Sequence, residues 1–215
     1  TMFGDFLAFL NSPAFLLFGS PASWAEVIGA VLGISMVACN IKEIHWGWPL
    51  AFASSAMYFL VFWGSQLFGD ASLQIFFAVM ATWGWWQWLR GVRIDGSVLK
   101  IQTLSRRSTI KLIAICAILW LATGLFLLKF TTTDVPWWDA FPTALSIVAT
   151  FLLGRKYIEN WPMWIAVNIV GMALFAYKGL WLTVGLYAVF AIMALIGWQA
   201  WRQQLTLQPK LETAA

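Results

Sequence analysis

From Leu112 to Leu128 the chain runs without a charged side chain, and a second uncharged run extends from Leu180 to Trp201. Helical runs of about 20 apolar residues match the thickness of a bilayer's hydrocarbon core. In lipid a helix also satisfies its backbone hydrogen bonds internally. Five further apolar segments lie between turn or charge markers: Ala25–Ile41, Trp48–Phe68, Ser72–Leu89, Phe141–Leu153 and Trp161–Tyr177. Only 10% of the 215 residues are charged and 61% are hydrophobic. Soluble domains carry about 25% charged residues, so a water-soluble globule is excluded. Disorder would need the opposite balance. The expectation is an all-α integral membrane protein with seven transmembrane helices.

Phe141–Leu153 is the weakest of the seven, being short and holding Ser146 and Thr150. Pro49 and Pro162 are expected at the first helical position of their spans, where a missing N–H costs nothing. Phe3–Gly19 is apolar but interrupted by Asp5, Asn11 and Pro13, and reads as an N-terminal interfacial helix rather than a crossing. It lacks the basic start of a signal peptide. Cys39 and Cys116 sit in apolar runs with no CxxC spacing, so no disulfide framework or zinc site is expected.

The basic residues give an orientation. Arg90, Arg93, Lys100, Arg106, Arg107 and Lys111 follow the third span. Placing them in the cytoplasm puts Lys42, Arg155, Lys156, Arg202 and Lys210 on the same side, and only Lys129 and Lys178 outside. The positive-inside rule then predicts an outside N-terminus and a cytoplasmic C-terminus. Because topology accounts for the cluster, nucleic acid is not an expected partner. Membrane lipid is, and a homo-oligomer is compatible with the pattern.

The two halves resemble each other. Trp24 and Glu26 match Trp137 and Asp139, and Trp48–Pro49 matches Trp161–Pro162 at the same offset. With a one-residue gap, Trp86–Gln87 falls on Trp198–Gln199 and Arg90 on Arg202. The expected plan is a 3+1+3 parallel repeat similar to the SWEET architecture, since a three-helix unit needs one more crossing before its copy can start in the same orientation. The segments are then 1–20, the N-terminal interfacial segment; 21–91, the first repeat; 92–111, a basic cytoplasmic connection; 112–130, the linker helix; 131–203, the second repeat; and 204–215, a cytoplasmic tail. Such a plan places a binding site near mid-membrane between the halves. A bundle without a pathway is the bland alternative.

Charges inside a bilayer are expensive and usually functional, and here the spans hold none. Glu26, Asp70, Asp134, Asp139 and Lys178 lie at outer ends, with Lys42, Glu43, Arg155 and Glu159 at inner ends and the single histidine, His45, in an inner loop. No proton relay can be drawn, and neither catalytic groups, a metal site nor a cofactor is expected. Uptake driven by the substrate gradient alone is the simplest reading. The neutral polar groups Asn40, Tyr58, Gln66, Gln87, Asn168, Tyr187 and Gln199 remain. For most of them an interhelical hydrogen bond is the plain role.

The sharpest constellation is Trp161, Trp164 and Asn168, at i, i+3 and i+7, on one helix face. Seven residues of helix cover about 10 Å, roughly the length of a nucleoside. Indole faces stack on aromatic rings and attract cations. An amide offers a donor and an acceptor together. The pattern suits a flat, polar ligand, cationic or not. A membrane-interface tryptophan is the competing role for Trp161.

At these residues the chain resembles the PnuC family of vitamin transporters. The carrying motif is Trp161-x-x-Trp164-x-x-x-Asn168, with Tyr177-Lys178-Gly179-Leu180-Trp181-Leu182-Thr183, Tyr187, Gly197-Trp198 and Gly84-Trp85-Trp86-Gln87-Trp88 in support. At residue 181, where many relatives are expected to have Tyr, this chain has Trp. The resemblance implies facilitated diffusion of nicotinamide riboside across the cell membrane, followed by trapping through phosphorylation by a separate kinase. It implies further that Trp161 and Trp164 enclose the pyridinium, that Asn168 and Gln87 bind the carboxamide or ribose, and that Tyr58, Tyr187 and Asn40 complete the wall. Alternatives are a carrier for another flat cationic vitamin such as thiamine, or a membrane receptor or assembly subunit without transport.

Overall fold

The structure, a computed structural model, describes residues 2–17, 20–64, 68–92, 96–131, 133–177 and 181–212. Gln66, Arg93 and Lys178 lie outside the described residues. The chain divides into two compact units, Thr1–Leu89 and Arg90–Ala215.

The first unit opens with helix α1 (Met2–Asn11), a hairpin of β1 (Pro13–Leu17) and β2 (Ser20–Ser23), then α2 (Trp24–Ile41), α3 (Gly47–Gly64) and α4 (Phe68–Arg90, whose last residue belongs to the second unit). The expected helix over Phe3–Gly19 is therefore corrected: it stops at Asn11, and an antiparallel pair replaces its second half. Pro13 cannot donate to a continuing helix and stands instead at the first position of a strand. Ser12 closes the helix end by donating its hydroxyl to the Phe9 carbonyl at 2.7 Å. Phe9 stacks on Trp24 at 5.7 Å, which ties α1 to the start of α2. A capping box starts α2: the Ser23 hydroxyl accepts from Glu26 N–H, while the Glu26 carboxylate accepts from Ser23 N–H at 2.6 Å.

The second unit holds α5 (Arg106–Phe130), α6 (Pro136–Gly154), α7 (Asn160–Tyr177) and α8 (Trp181–Glu212). Consecutive helices pack as neighbours, α5 on α6, α6 on α7 and α7 on α8. α5 starts at Arg106, six residues before the expected Leu112, because Ser105 caps it by accepting from Ser108 N–H. α8 continues to Glu212, so most of the expected tail is helical. Pro49 and Pro162 occupy the third residue of their helices, still in the first turn where the backbone N–H has no partner in the helix.

Among the described residues, four helices are long and apolar enough to cross a membrane: α2, α5, α6 and the Thr183–Leu207 stretch of α8. α3 and α7 are diluted by tryptophan, serine, asparagine and tyrosine, as Trp48, Ser54, Ser55 and Tyr58 in α3 and Trp161, Trp164 and Asn168 in α7 illustrate.

Local geometry recurs at a constant separation of 113 residues. α2 and α6 both end in a Schellman turn: Ile44 N–H donates to Cys39 and Glu43 N–H to Asn40, as Tyr157 does to Leu152 and Lys156 to Leu153. Glu43 and Lys156 sit in the left-handed region with φ of 54° and 55°. Trp48 meets Trp88 edge-on at 5.7 Å, and Trp161 meets Trp201 edge-on at 5.4 Å. Each of these first tryptophans lies against a glycine of the next helix, Gly84 for Trp48 and Gly197 for Trp161. The equivalence needs no gap. The expected match of Trp86–Gln87 to Trp198–Gln199 is thereby corrected to Trp85 with Trp198 and Trp88 with Trp201. Gln87 then corresponds to Ala200.

Candidate functional site

α7 carries the indole and amide face. Trp161 is 2% exposed, with its benzenoid ring against Gly197 and its edge on Trp201. Its indole N–H is buried and finds no partner among the described residues. The ring thus already fills the gap between α7 and α8. Trp164, about 4.5 Å further along the axis, is half-buried and keeps part of its surface open. Asn168 is 5% exposed, and no hydrogen bond to its side-chain amide is found among the described residues. The amide is not among the fully buried polar atoms that lack a partner, so it keeps some open surface that a ligand's polar edge can meet.

Tyr187 of α8 joins this group. Its ring lies over Gly171, where a Cβ would come within 2.6 Å, and contacts Phe175 at 4.9 Å. Gly171 is one turn beyond Asn168, so Trp164, Asn168 and Tyr187 gather along two turns of α7.

In the first unit the expected residues do not converge. The Tyr58 ring packs over Gly29 of α2, beside the Ser54 hydroxyl that donates to the Gly29 carbonyl at 2.9 Å. Asn40 is 3% exposed at the far end of α2, its carboxamide oxygen against Gly47. Eleven residues of helix, about 16 Å, separate Gly29 from Asn40. Gln87 is 7% exposed on α4, near the Gly84–Trp48 contact and so at Asn40's end of the unit. Gln199, in α8, is exposed.

Comparing the two units separates packing from recognition. Trp161 has its counterpart in Trp48, with the same glycine and the same edge-on partner. Trp164 and Asn168 correspond to Ala51 and Ser55, so this pairing of indole and amide occurs in one unit only. A duplicated residue serves what both units share, here helix packing. A residue found in one copy is free to serve a ligand.

Sequence reasoning did not foresee the contacts of several polar groups. Asn160 is fully buried and donates to the Tyr157 carbonyl at 2.7 Å. Thr150 donates to the Ser146 carbonyl at 2.7 Å inside α6. His45 accepts from the Trp85 indole N–H at 3.3 Å. Gln102 and Glu159 hold a loop to the turn before α7. The contacts of His45, Gln102 and Glu159 join residues distant in sequence, and no local spacing announces them. Among the described residues no group of three or more His, Cys, Asp or Glu could hold a metal ion.

Residues 23–203 match the model of a family described as nicotinamide mononucleotide transporter. The chain is 31% identical to the riboflavin/roseoflavin transporter RibM of Streptomyces davaonensis, over 95% of this chain and 98% of that one. It is 25% identical to the nicotinamide riboside transporter PnuC of Escherichia coli, over 85% of this chain and 87% of that one. A crystal structure of the vitamin B3 transporter PnuC superimposes with a TM-score of 0.69 at 21% identity, covering 84% of this chain and 81% of that one, a likeness of fold.

Proposed function

Since this chain belongs to the nicotinamide mononucleotide transporter family, that of PnuC, and is a multi-pass membrane transporter rather than an enzyme, we propose that its cargo is nicotinamide riboside. The observation that carries this reading is the amide of Asn168, without a hydrogen bond among the described residues, one turn from the open indole of Trp164. A pyridinium is a flat cation, for which an indole face is the best neutral partner. Its carboxamide is self-complementary to an asparagine side chain, donor to acceptor and acceptor to donor. Trp164 stacks on the pyridinium, Asn168 binds the carboxamide or ribose, and Tyr187 closes the group. Trp161 stands behind Trp164 as the fixed wall. Gln87, Tyr58 and Asn40 are further candidates, each to be read by its own variant.

The proposed crossing pattern is seven helices as three, one and three, with α5 as the single helix. The geometry that recurs at 113 residues supports it. The N-terminus lies outside and the C-terminus in the cytoplasm. Charge is concentrated at the helix ends, so transport runs down the substrate gradient and a separate kinase traps the product by phosphorylation.

A second reading comes from the 31% identical relative, a riboflavin/roseoflavin transporter. The uracil-like edge of an isoalloxazine also offers alternating donors and acceptors to an amide. It lacks the fixed positive charge that favours an indole face. Proteoliposomes enclosing a nicotinamide riboside kinase and ATP separate the readings. Labelled nicotinamide riboside accumulates on the first, with no effect of a protonophore. Entry of riboflavin alone would replace it with the second.

A further inference from the structure

The connection between α4 and α5 contains more than a run of basic residues. Its segment Leu99–Leu104 lies along the turn that joins α6 to α7 and is fastened there at both backbone and side chains. Gln102 N–H donates to the Lys156 carbonyl at 3.0 Å, and Ile158 N–H donates to the Gln102 carbonyl at 3.0 Å, as in a parallel bridge. The Gln102 side-chain amide donates to the Arg155 carbonyl at 2.9 Å. Leu104 N–H donates to the Glu159 carboxylate at 2.9 Å. The Arg155 guanidinium donates to the Val92 carbonyl at 3.2 Å, at the start of the same connection. Two apolar pegs seat the segment, Leu99 at 5% and Ile101 at 1% exposure, beside a buried Ile158.

The location gives these bonds their meaning. Glu159 immediately precedes α7, so its bond to Leu104 N–H ties down the residue from which the helix that bears Trp164 and Asn168 starts. In the first unit the corresponding turn is held by a different contact, the Trp85 indole donating to His45. There the residues equivalent to Tyr157 and Glu159 are Ile44 and Trp46, which are 40% and 59% exposed. The two units thus share a turn but differ in how it is held, and the hydrogen-bonded segment belongs to the unit with the indole–amide face.

We infer that Leu99–Leu104 is a positioning strap for the ligand face of α7, with Gln102 and Glu159 as its positioning residues. Fixing the first residue of a helix fixes its rotation, and a turn of 20° in α7 displaces groups on its face by an ångström or more at side-chain radius. A misplacement of that size is enough to weaken a stacked and hydrogen-bonded ligand. The inference rests on the reading of α7 as the site-bearing helix.

The test uses the full chain in detergent or nanodiscs and two readouts. The first is hydrogen–deuterium exchange without ligand. In the Gln102→Ala/Glu159→Ala variant, amides of Asn160–Trp164 exchange at least about 10-fold faster than in the parent, while those of α5 keep their rate. Glu159→Gln, which retains an oxygen to accept from Leu104 N–H, restores the parent pattern. The second is affinity for nicotinamide riboside, which falls about 5- to 10-fold in the double variant and recovers with Glu159→Gln alone. Parent exchange rates at the start of α7 in the double variant would overturn the strap, as would a Glu159→Gln protein behaving like Glu159→Ala. If the double variant does not fold, the single variants read the same quantities. A parent that binds no nicotinamide riboside sinks the proposed cargo, and exchange alone then decides the strap.

Discussion

Replacing Gly197 by alanine places a methyl group 2.5–2.6 Å from three benzenoid carbons of Trp161. Carbon atoms pack best at about 3.5–4.0 Å, so the ring must retreat by about 1 Å. It has little room, since its other edge meets Trp201 and the side chain is 2% exposed. Overpacking of this kind costs about 1–3 kcal/mol. Alanine's better helix propensity returns about 1 kcal/mol, leaving a net loss of about 0–2 kcal/mol, so the coupling between the two sites is the sharper readout. The second half of the argument is a rescue. Trp161→Phe withdraws the offending carbons and forfeits no hydrogen bond among the described residues, because the indole N–H has no partner there. Together the two substitutions should be less destabilising than the sum of each alone, by about 1 kcal/mol or more. Reversible unfolding in mixed micelles, followed by circular dichroism, measures all four corners of the cycle. Gly84→Ala with Trp48→Phe should repeat the result in the first unit. Additive effects in both cycles would refute the claim that these glycines exist to receive the tryptophans.

Other outcomes follow from the same geometry. Glu43→Gly or Lys156→Gly relieves a side chain in the left-handed region, where L residues are disfavoured by about 1–2 kcal/mol, and the same unfolding assay should show each variant up to about 1 kcal/mol more stable. Ser23→Ala removes one half of the capping box at the start of α2 and should lower stability by about 1 kcal/mol. For orientation, a reporter fused after residue 212 should be active only in the cytoplasm; activity restricted to the outside would invert the topology.

Much of the helical frame was legible because uncharged apolar runs dominate this chain. The cores of α2 to α8 all lie within the expected segments. The hairpin was not legible: strands of four and five residues carry too little periodicity to separate from a broken helix. Helix ends in polar sequence were equally hidden, which is why α5 begins earlier and α8 ends later than expected. The face of Trp161, Trp164 and Asn168 could be read from spacing. Which indole is packed could not, because that is decided by Gly197 on another helix. The same cause produced the spurious gap in the repeat: with Trp85, Trp86 and Trp88 so close together, only the contact of Gly84 with Trp48 fixes the alignment. Gln102 and Glu159 gave no pattern at all, since the basic residues around Gln102 already had a sufficient explanation in topology.

The most direct measurement is calorimetric titration of the purified protein with nicotinamide riboside and, separately, with riboflavin, using the parent, Trp164→Ala, Asn168→Ala and Trp48→Phe. The account predicts saturable binding of nicotinamide riboside by the parent and by Trp48→Phe. For Trp164→Ala and Asn168→Ala it predicts a loss of about 10-fold or more, the size expected when a buried polar or stacking contact is removed. Undiminished affinity in both α7 variants, or binding of riboflavin alone, would contradict it.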